Sequence, residues 1–442
     1  MSKTNKKSIV DQTISRLNEL SPQLPDKRKG KNTKYTMADV VLAAFAVFFT
    51  QSPSFLAHQR ALKKRKGTSN AQSMFQMAQI PCEQHIRNIL DPVAPDNFYD
   101  EYHAVFDHLQ KEGLMDSYQV LGGKHILLPL DGTEYFCSCK IGCENCLHRM
   151  LRNEEVQNYH TAIAPAMVAP GNPHPIPLPS EFIIPQDGAE KQDCERNASK
   201  RWVNKHLSRY SRFSPIVLGD NLFANQPFCE TVLDNDGHFI LVCKPDSHVT
   251  MYSWIDAIAQ AGGVETLSFR VWNGKHGEIV HYRFLNDVPM RAGEDALLVN
   301  WCEVEITHED SGKIIYLNSF ITDLLITRKN VQEIVKCGRA RWKIENETYN
   351  TLKTKGYHLE HNFGHGDNYL SMTLFTLNVL AFLLHTVLHL SDEVYKRIRE
   401  DLGRRDTFFN DVRALTRYLL FDSWSALLKF MFIQLELEPL PD

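Results

Sequence analysis

Three acids in this sequence stand where a fold can gather them. Asp131 closes the apolar run His125-Ile-Leu-Leu-Pro-Leu-Asp131 and precedes Gly132. Asp220 closes Ser214-Pro-Ile-Val-Leu-Gly-Asp220, and Glu345 lies in Arg341-Trp-Lys-Ile-Glu345, inside a stretch of helical spacing. Carboxylates at strand ends meet beside a sheet. Three hard oxygen donors suit Mg2+ or Mn2+, and two such ions stabilise both the attacking and the leaving oxygen of an in-line phosphoryl displacement. A single Asp at a strand end is more often a turn or cap residue, so the reading rests on the three together. On the Glu345 helix, Arg341 is four residues earlier and nearly on the same face. Lys353, eight residues later, is about 80° round. Cations beside a carboxylate metal site fit a phosphodiester substrate.

The second cluster is Cys137-x-Cys139-x3-Cys143-x2-Cys146, followed by His148. Four thiolates in ten residues can close a tetrahedral structural Zn2+ site, with His148 able to replace one of them. The alternative is four reduced thiols in a loop. His358, His361 and His365 have H-x2-H-x3-H spacing, but Gly356, Gly364 and Gly366 around them argue for a loop and a structural turn. His160 follows Asn158-Tyr159 in a strand-like run and is a weaker candidate for facing the acids. No phosphate-cradling, dinucleotide or nucleophile-elbow motif is present, so nucleotide-fuelled and serine-hydrolase chemistry have no support.

The elements that must position these residues follow from periodicity and breakers. Residues 1–35 are polar and Lys-rich with Pro22 and Pro25, and read as a basic flexible arm. Residues 36–120 read as a helical, basic module. It opens at the capping-box spacing Thr36-Met-Ala-Asp39 and contains the basic run Arg60-Ala-Leu-Lys63-Lys64-Arg65-Lys66. Two short helices around Pro81 form either a helix-turn-helix or a plain helical hairpin. From 121 to 390, strands and helices alternate in an α/β pattern. Four strands at about 264–325, separated by Asn273-Gly274, Asn286-Asp287 and Asp310-Ser-Gly312, form a β-rich insertion. A long helix over 330–356 then carries Glu345. Tyr369–Leu390 has 22 residues free of Asp, Glu, Lys and Arg. That length would span a bilayer, but Asn378, His385 and His389 favour a buried core helix over a membrane span. Residues 391–442 are helical.

Composition bounds the rest. The 442 residues are 43% hydrophobic and 23% charged, which excludes disordered and collagen-like classes. Residues 1–70 hold 14 Lys and Arg against 4 Asp and Glu, so a basic start sits on a net acidic remainder and fits an anionic polymer as partner. No apolar leader follows the basic start, so a reducing cytoplasm is the expected location and clustered Cys point to metal rather than disulfides.

The order Leu-Pro-Leu-Asp131-Gly-Thr-Glu, Val-Leu-Gly-Asp220-Asn-Leu-Phe and Arg341-Trp-Lys-Ile-Glu345 through Leu352-Lys353 resembles the bacterial insertion-sequence DDE transposases. The nearer branch is the one with a β-rich insertion before the Glu. The resemblance covers about residues 120–390. It implies an RNase H-like (integrase-like) catalytic core flanked by helical N- and C-terminal regions, with Asp131, Asp220 and Glu345 as catalytic metal-binding acids. Arg341 and Lys353 match the family's DNA-contacting cations. Lys63, Lys64, Arg65 and Lys66 are expected to bind DNA too. An insertion Trp in relatives stacks on a flipped base; Trp272 and Trp301 lie in the insertion, although a core role is the commoner fate of each. The sequence departs from the family at Gly338, where a Tyr is usual, and in Lys353, one residue further from the Glu than is common. The implied activity is cutting and joining of DNA element ends, by a homodimer on DNA. The alternatives are a metal-dependent nuclease without joining, or an inactive zinc-containing DNA-binding protein.

Overall fold

A computed structural model describes residues 8–29, 33–62, 65–185 and 194–438, and the side chains of 65–69 are outside it as well. The N-terminal third is helical: α1 Ile9–Leu20, α2 Met37–Phe49, α3 Phe55–Leu62, α4 Arg65–Phe75, α5 Glu83–Leu90 and α6 Tyr99–Lys111. The capping box at α2 forms, with Thr36 Oγ1 accepting from Asp39 N–H and the Asp39 carboxylate accepting from Thr36 N–H. Of the flexible arm expected over 1–35, residues 1–7 and 30–32 lie outside the described residues, and α1 corrects the reading for Ile9–Leu20. Ile9, Val10, Ile14 and Leu17 recur at helical spacing, and all four are buried in the main core. An apolar stripe of that width needs a partner surface, and the Lys-rich flanks masked it.

The α/β part begins with β1 Leu127–Pro129, β2 Gly132–Ser138, β3 Leu147–Met150, β4 Val156–Ile163, β5 Ala166–Ala169, β6 Asn172–Pro177 and β7 Glu181–Ile183. It continues through α7 Glu195–His206, β8 Ile216–Gly219, α8 Gln226–Leu233, β9 His238–Val242 and α9 Val249–Gln260. The four insertion strands follow: β10 Glu265–Trp272, β11 Gly277–Pro289, β12 Leu298–His308 and β13 Ile314–Thr322. Among the described residues these strands make a nine-stranded mixed sheet of order β10-β11-β12-β13-β9-β8-β1-β5-β6. β1, β8 and β9 are parallel; β5 and β6 are antiparallel to their neighbours on one side, and the β10–β13 meander is antiparallel on the other. The insertion therefore extends the central sheet rather than standing apart from it. A second sheet, β2-β4-β3 with β7 on β4, grows from the same chain segments. β1 continues into β2, and β4 into β5 across Pro165, where a residue without N–H interrupts the ladder.

Both faces of the central strands are buried, as their continuous apolar runs require. Val217, Phe239 and Leu241 face one core, and Ile216, Leu218, Ile240 and Val242 face the other, where α10 Val331–Arg339 packs. The single long helix expected over 330–356 is instead broken. After α10 the chain makes a π-helical turn, Ile344–Tyr349, and then α11 Asn350–Thr354. Gly338 has a packing reason: a Cβ there would lie 2.7 Å from the Phe320 ring and 3.0 Å from Ile240.

α12 Leu370–Ser391 is long and apolar enough to cross a membrane, and 94% of its most apolar window is buried in the protein. Two of its polar side chains are bonded inside the protein, although Asn378 Oδ1 is left without a partner among the described residues. Asn378 donates to Tyr357 O, and His385 sits between Tyr357 Oη and Phe49 O. α13 Glu393–Asp401, α14 Arg405–Tyr418 and α15 Trp424–Gln434 close around it. One continuous buried cluster links α1, α2, α12 and α15.

Candidate active site and metal cluster

β1 and β8 lie side by side with Leu127, Leu128 and Pro129 opposite Ile216, Val217 and Leu218. Leu130 N–H donates to Leu218 O at 2.8 Å, so the register carried on brings Asp131 level with Asp220 at the carboxyl ends of adjacent parallel strands. That is where open α/β sheets place their sites. Asp220 Oδ1 also accepts from Leu222 N–H at 2.8 Å and so caps its own turn.

Glu345 reaches the same place from the π-helical turn. Arg341 Nη1 is 2.7 Å from Glu345 Oε1 and 3.9 Å from Asp131 Oδ2, so one guanidinium lies between the two acids. Tyr349, one helical step beyond Glu345, donates to Asp131 O at 2.6 Å and lies 3.3 Å from Ala164 O. This hydroxyl pins the turn carrying Glu345 to the strand carrying Asp131. A π turn inside a helix is rare and clusters at functional sites. Tyr349→Phe is expected to leave these buried carbonyls short of a donor and to cost about 1–3 kcal/mol. Urea unfolding reads it directly, and a loss below about 0.5 kcal/mol would mean that the bond does not anchor the turn.

The electrostatics identify a fourth acid that sequence spacing missed. Burial pushes the Asp131 carboxyl up to about 7; Arg341 opposes this, while the charges of Glu345, Glu195 and Asp220 add to it. Glu195 opens α7, and burial, with Asp220 beside it, raises its own carboxyl. Its side chain lies over Gly132, where any Cβ would overlap its carboxylate. In sequence Glu195 looks like an ordinary first-turn helix acid. Arg341 is paired with Asp131 and Glu345, while Asp220 and Glu195 act on Asp131 through their charge. All-oxygen donors are the type that hard divalent cations take, but among the described residues the acids do not make a group close enough to hold an ion; the Cys2His2 group of Cys143, Cys146, His160 and His365 does.

The other expected DNA-binding residues divide. Lys353 is ion-paired with Glu360 at 2.9 Å. Lys63 and Lys64 lie outside the described residues, and Arg65 and Lys66 open α4. Trp301 is corrected. It is fully buried, its Nε1–H donates to Tyr252 Oη at 3.2 Å, and Arg283 lies over its ring, so it offers no face to a base. Trp272, at the end of β10, is 61% exposed.

The four-cysteine zinc site is corrected as well. Cys137 and Cys139 are exposed and lie outside the cluster. Cys143 and Cys146 are joined instead by His160 of β4 and His365 of the loop before α12, with all four ligand atoms within 4.8 Å of one another. Such a Cys2His2 group can hold a metal ion such as zinc. His160 therefore faces the cysteines rather than the acids. The segment containing His358, His361 and His365 is a loop, as its glycines imply, yet His365 is turned inward.

No protein-family model matches this sequence, and no curated protein matches it significantly.

Proposed function

We propose that the protein is a metal-dependent DNA transposase with an RNase H-like core, cutting and joining the ends of its element by phosphoryl transfer. The observation that carries this reading is the placement of Asp131 and Asp220 at the carboxyl ends of adjacent parallel strands, with Glu345 linked to Asp131 through Arg341. Two acids leave adjacent parallel strands, and the third comes from a helical turn tied to the Asp131 strand through Arg341 and Tyr349; this arrangement supports the reading. Bound there, Mg2+ or Mn2+ would activate the attacking oxygen, water for nicking and a 3′-hydroxyl for joining, and would stabilise the leaving oxygen.

The protein's own groups supply the positioning. Asp131, Asp220 and Glu345 hold the charge; Glu195 adds a carboxylate beside Asp131. Arg341, resting between Asp131 and Glu345, is placed to turn toward a phosphate once the acids have another counter-charge. Tyr349 keeps the Glu345 turn on the Asp131 strand. The basic residues of the first 70 positions fit backbone contacts that position DNA without reading sequence. Two ends must be held together for joining, so a homodimer on DNA is the expected working form.

The test is a labelled duplex copied from the DNA flanking the coding sequence, incubated with the protein, Mg2+ or Mn2+ and a supercoiled plasmid. Label joined to the plasmid is the expected product. Cut duplex without joining would reduce the reading to a nuclease, and a gel shift without cutting would leave an inactive DNA-binding protein.

A further inference from the structure

We infer that Cys143, Cys146, His160 and His365 form a closed, structural Zn2+ site that cross-links three distant segments of the chain. This does not depend on phosphoryl transfer, and the donor set differs in kind from the acids around Asp131.

The geometry is specific. The two sulfurs are 3.8 Å apart, Cys143 Sγ is 3.6 Å from His160 Nε2, and Cys146 Sγ is 3.5 Å from both His160 Nε2 and His365 Nε2. Ligands at about 2.3 Å for sulfur and about 2.0–2.1 Å for nitrogen, arranged tetrahedrally, give S–S edges of about 3.8 Å and S–N edges of about 3.5–3.6 Å. The observed edges match those values. Cys143 N–H points at Cys146 Sγ at 3.4 Å, and Cys146 N–H closes the turn onto Cys143 O at 3.1 Å. A backbone N–H aimed at sulfur favours the thiolate that a metal needs. Cys146, His160 and His365 are buried and Cys143 is partly so. Four protein ligands in a closed pocket leave no open position, which marks a structural rather than a catalytic zinc. Two thiolates and two imidazoles select Zn2+ over hard Mg2+ or Mn2+.

The ligands come from three places: the connection between β2 and β3, strand β4, and the loop leading into α12. That loop is already tethered. Asp91 Oδ1 accepts from Asp367 and Asn368 N–H at 3.0 Å each, Asn145 Nδ2 donates to Asn368 O at 2.8 Å, and Arg87 donates to Phe363 O at 2.8 Å. The ion would thus tie the arm of β2, which starts directly after Asp131, both to α12 and to the helical N-terminal third. The hairpin around Cys143 is polar and makes little core of its own, so an ion is what fixes it.

The measurement is metal analysis and X-ray absorption on the purified full-length chain. About one Zn2+ per chain is expected, with two sulfur and two nitrogen neighbours. Four sulfurs would restore the four-cysteine arrangement and overturn the inference; oxygen-only coordination, or no zinc and no uptake of Co2+ by the chelated protein, would overturn it too. Cys146→Ser and His365→Ala should each lose the metal, whereas Cys137→Ser and Cys139→Ser should keep it. Zinc kept in the first pair or lost in the second would sink the assignment. If the first pair fails to fold, chelation of the wild-type chain decides. Amide exchange should rise at least about tenfold in 139–150 and 358–369, while the middle of α2 is unchanged. An equal rise everywhere, or none, counts against a local cross-link.

Discussion

Asp131→Asn is expected to abolish cleavage and, in the absence of divalent metal, to stabilise the protein. The first effect follows if Asp131 holds the metal, because several kcal/mol of transition-state stabilisation go with it, a loss of about 10³-fold or more. The second follows from its surroundings. Burial, reinforced by Glu345, Glu195 and Asp220 and opposed by Arg341, lifts its carboxyl from 3.8 to about 7. Below about pH 4 the folded and unfolded chains are both protonated at this group. Between about 4 and 7 the unfolded chain has lost the proton while the folded one keeps it, so stability falls as pH rises through that window and levels off above it. At pH 8 the ionised, partly buried carboxylate is a liability on the order of 1–3 kcal/mol, after allowance for its partial exposure. Asn removes that liability. Melting temperatures at pH 4.5 and 8, with and without Mg2+, check the claim. The wild type should lose ground to the variant at pH 8 without metal and recover it with Mg2+, and the variant should gain little from Mg2+. A variant no more stable than wild type at pH 8 would mean that the acids are not crowded. An equal response of the two to Mg2+ would remove Asp131 from the metal site.

The elements around this site were legible because their signals are local. The meander β10–β13 falls within a few residues of its expected bounds, since alternation and the Asn273-Gly274 and Ser311-Gly312 turns fix register locally; the expected Asn286-Asp287 turn is instead a bulge inside β11, which runs on to Pro289. β1 and β8 were visible as short apolar runs ending in an acid. What the sequence did not disclose depends on tertiary context. The π turn at Ile344–Tyr349 has no Pro or Gly within it to announce a break. Glu195 is an unremarked helix acid until the fold sets it over Gly132. His160 and His365 lie 14 and 219 residues from Cys146, too far for spacing to associate them, whereas Cys137 and Cys139 are near in sequence and turned away. α1 is the exception. Its stripe of Ile9, Val10, Ile14 and Leu17 was readable, and only the charge of its flanks with Pro22 and Pro25 argued for a mobile tail.

The two insertion tryptophans make the sharpest contrast between a residue that holds the fold and one able to touch a ligand. Trp301 is completely enclosed: Tyr252 stacks edge-on at 6.0 Å and receives its N–H, and Arg283 covers its ring. It stands in β12, with Arg283 and Leu285 on the neighbouring strand and Ile321 opposite on β13. Trp301→Ala would therefore open a large cavity at the joint between the meander and the central sheet, and also deprive Tyr252 of a partner. A cost of about 3–5 kcal/mol is expected, with DNA affinity per folded molecule unchanged. Trp272→Ala, at an exposed strand end, should alter stability by no more than about 0.5 kcal/mol. If a base stacks on either ring, it is this one, and its loss should weaken binding by about 1–3 kcal/mol. Urea unfolding and fluorescence titration with single-stranded DNA separate the two effects. A mild Trp301→Ala phenotype in stability, coupled to a loss of DNA affinity, would put Trp301 back in a binding role and would require β12 to open on DNA.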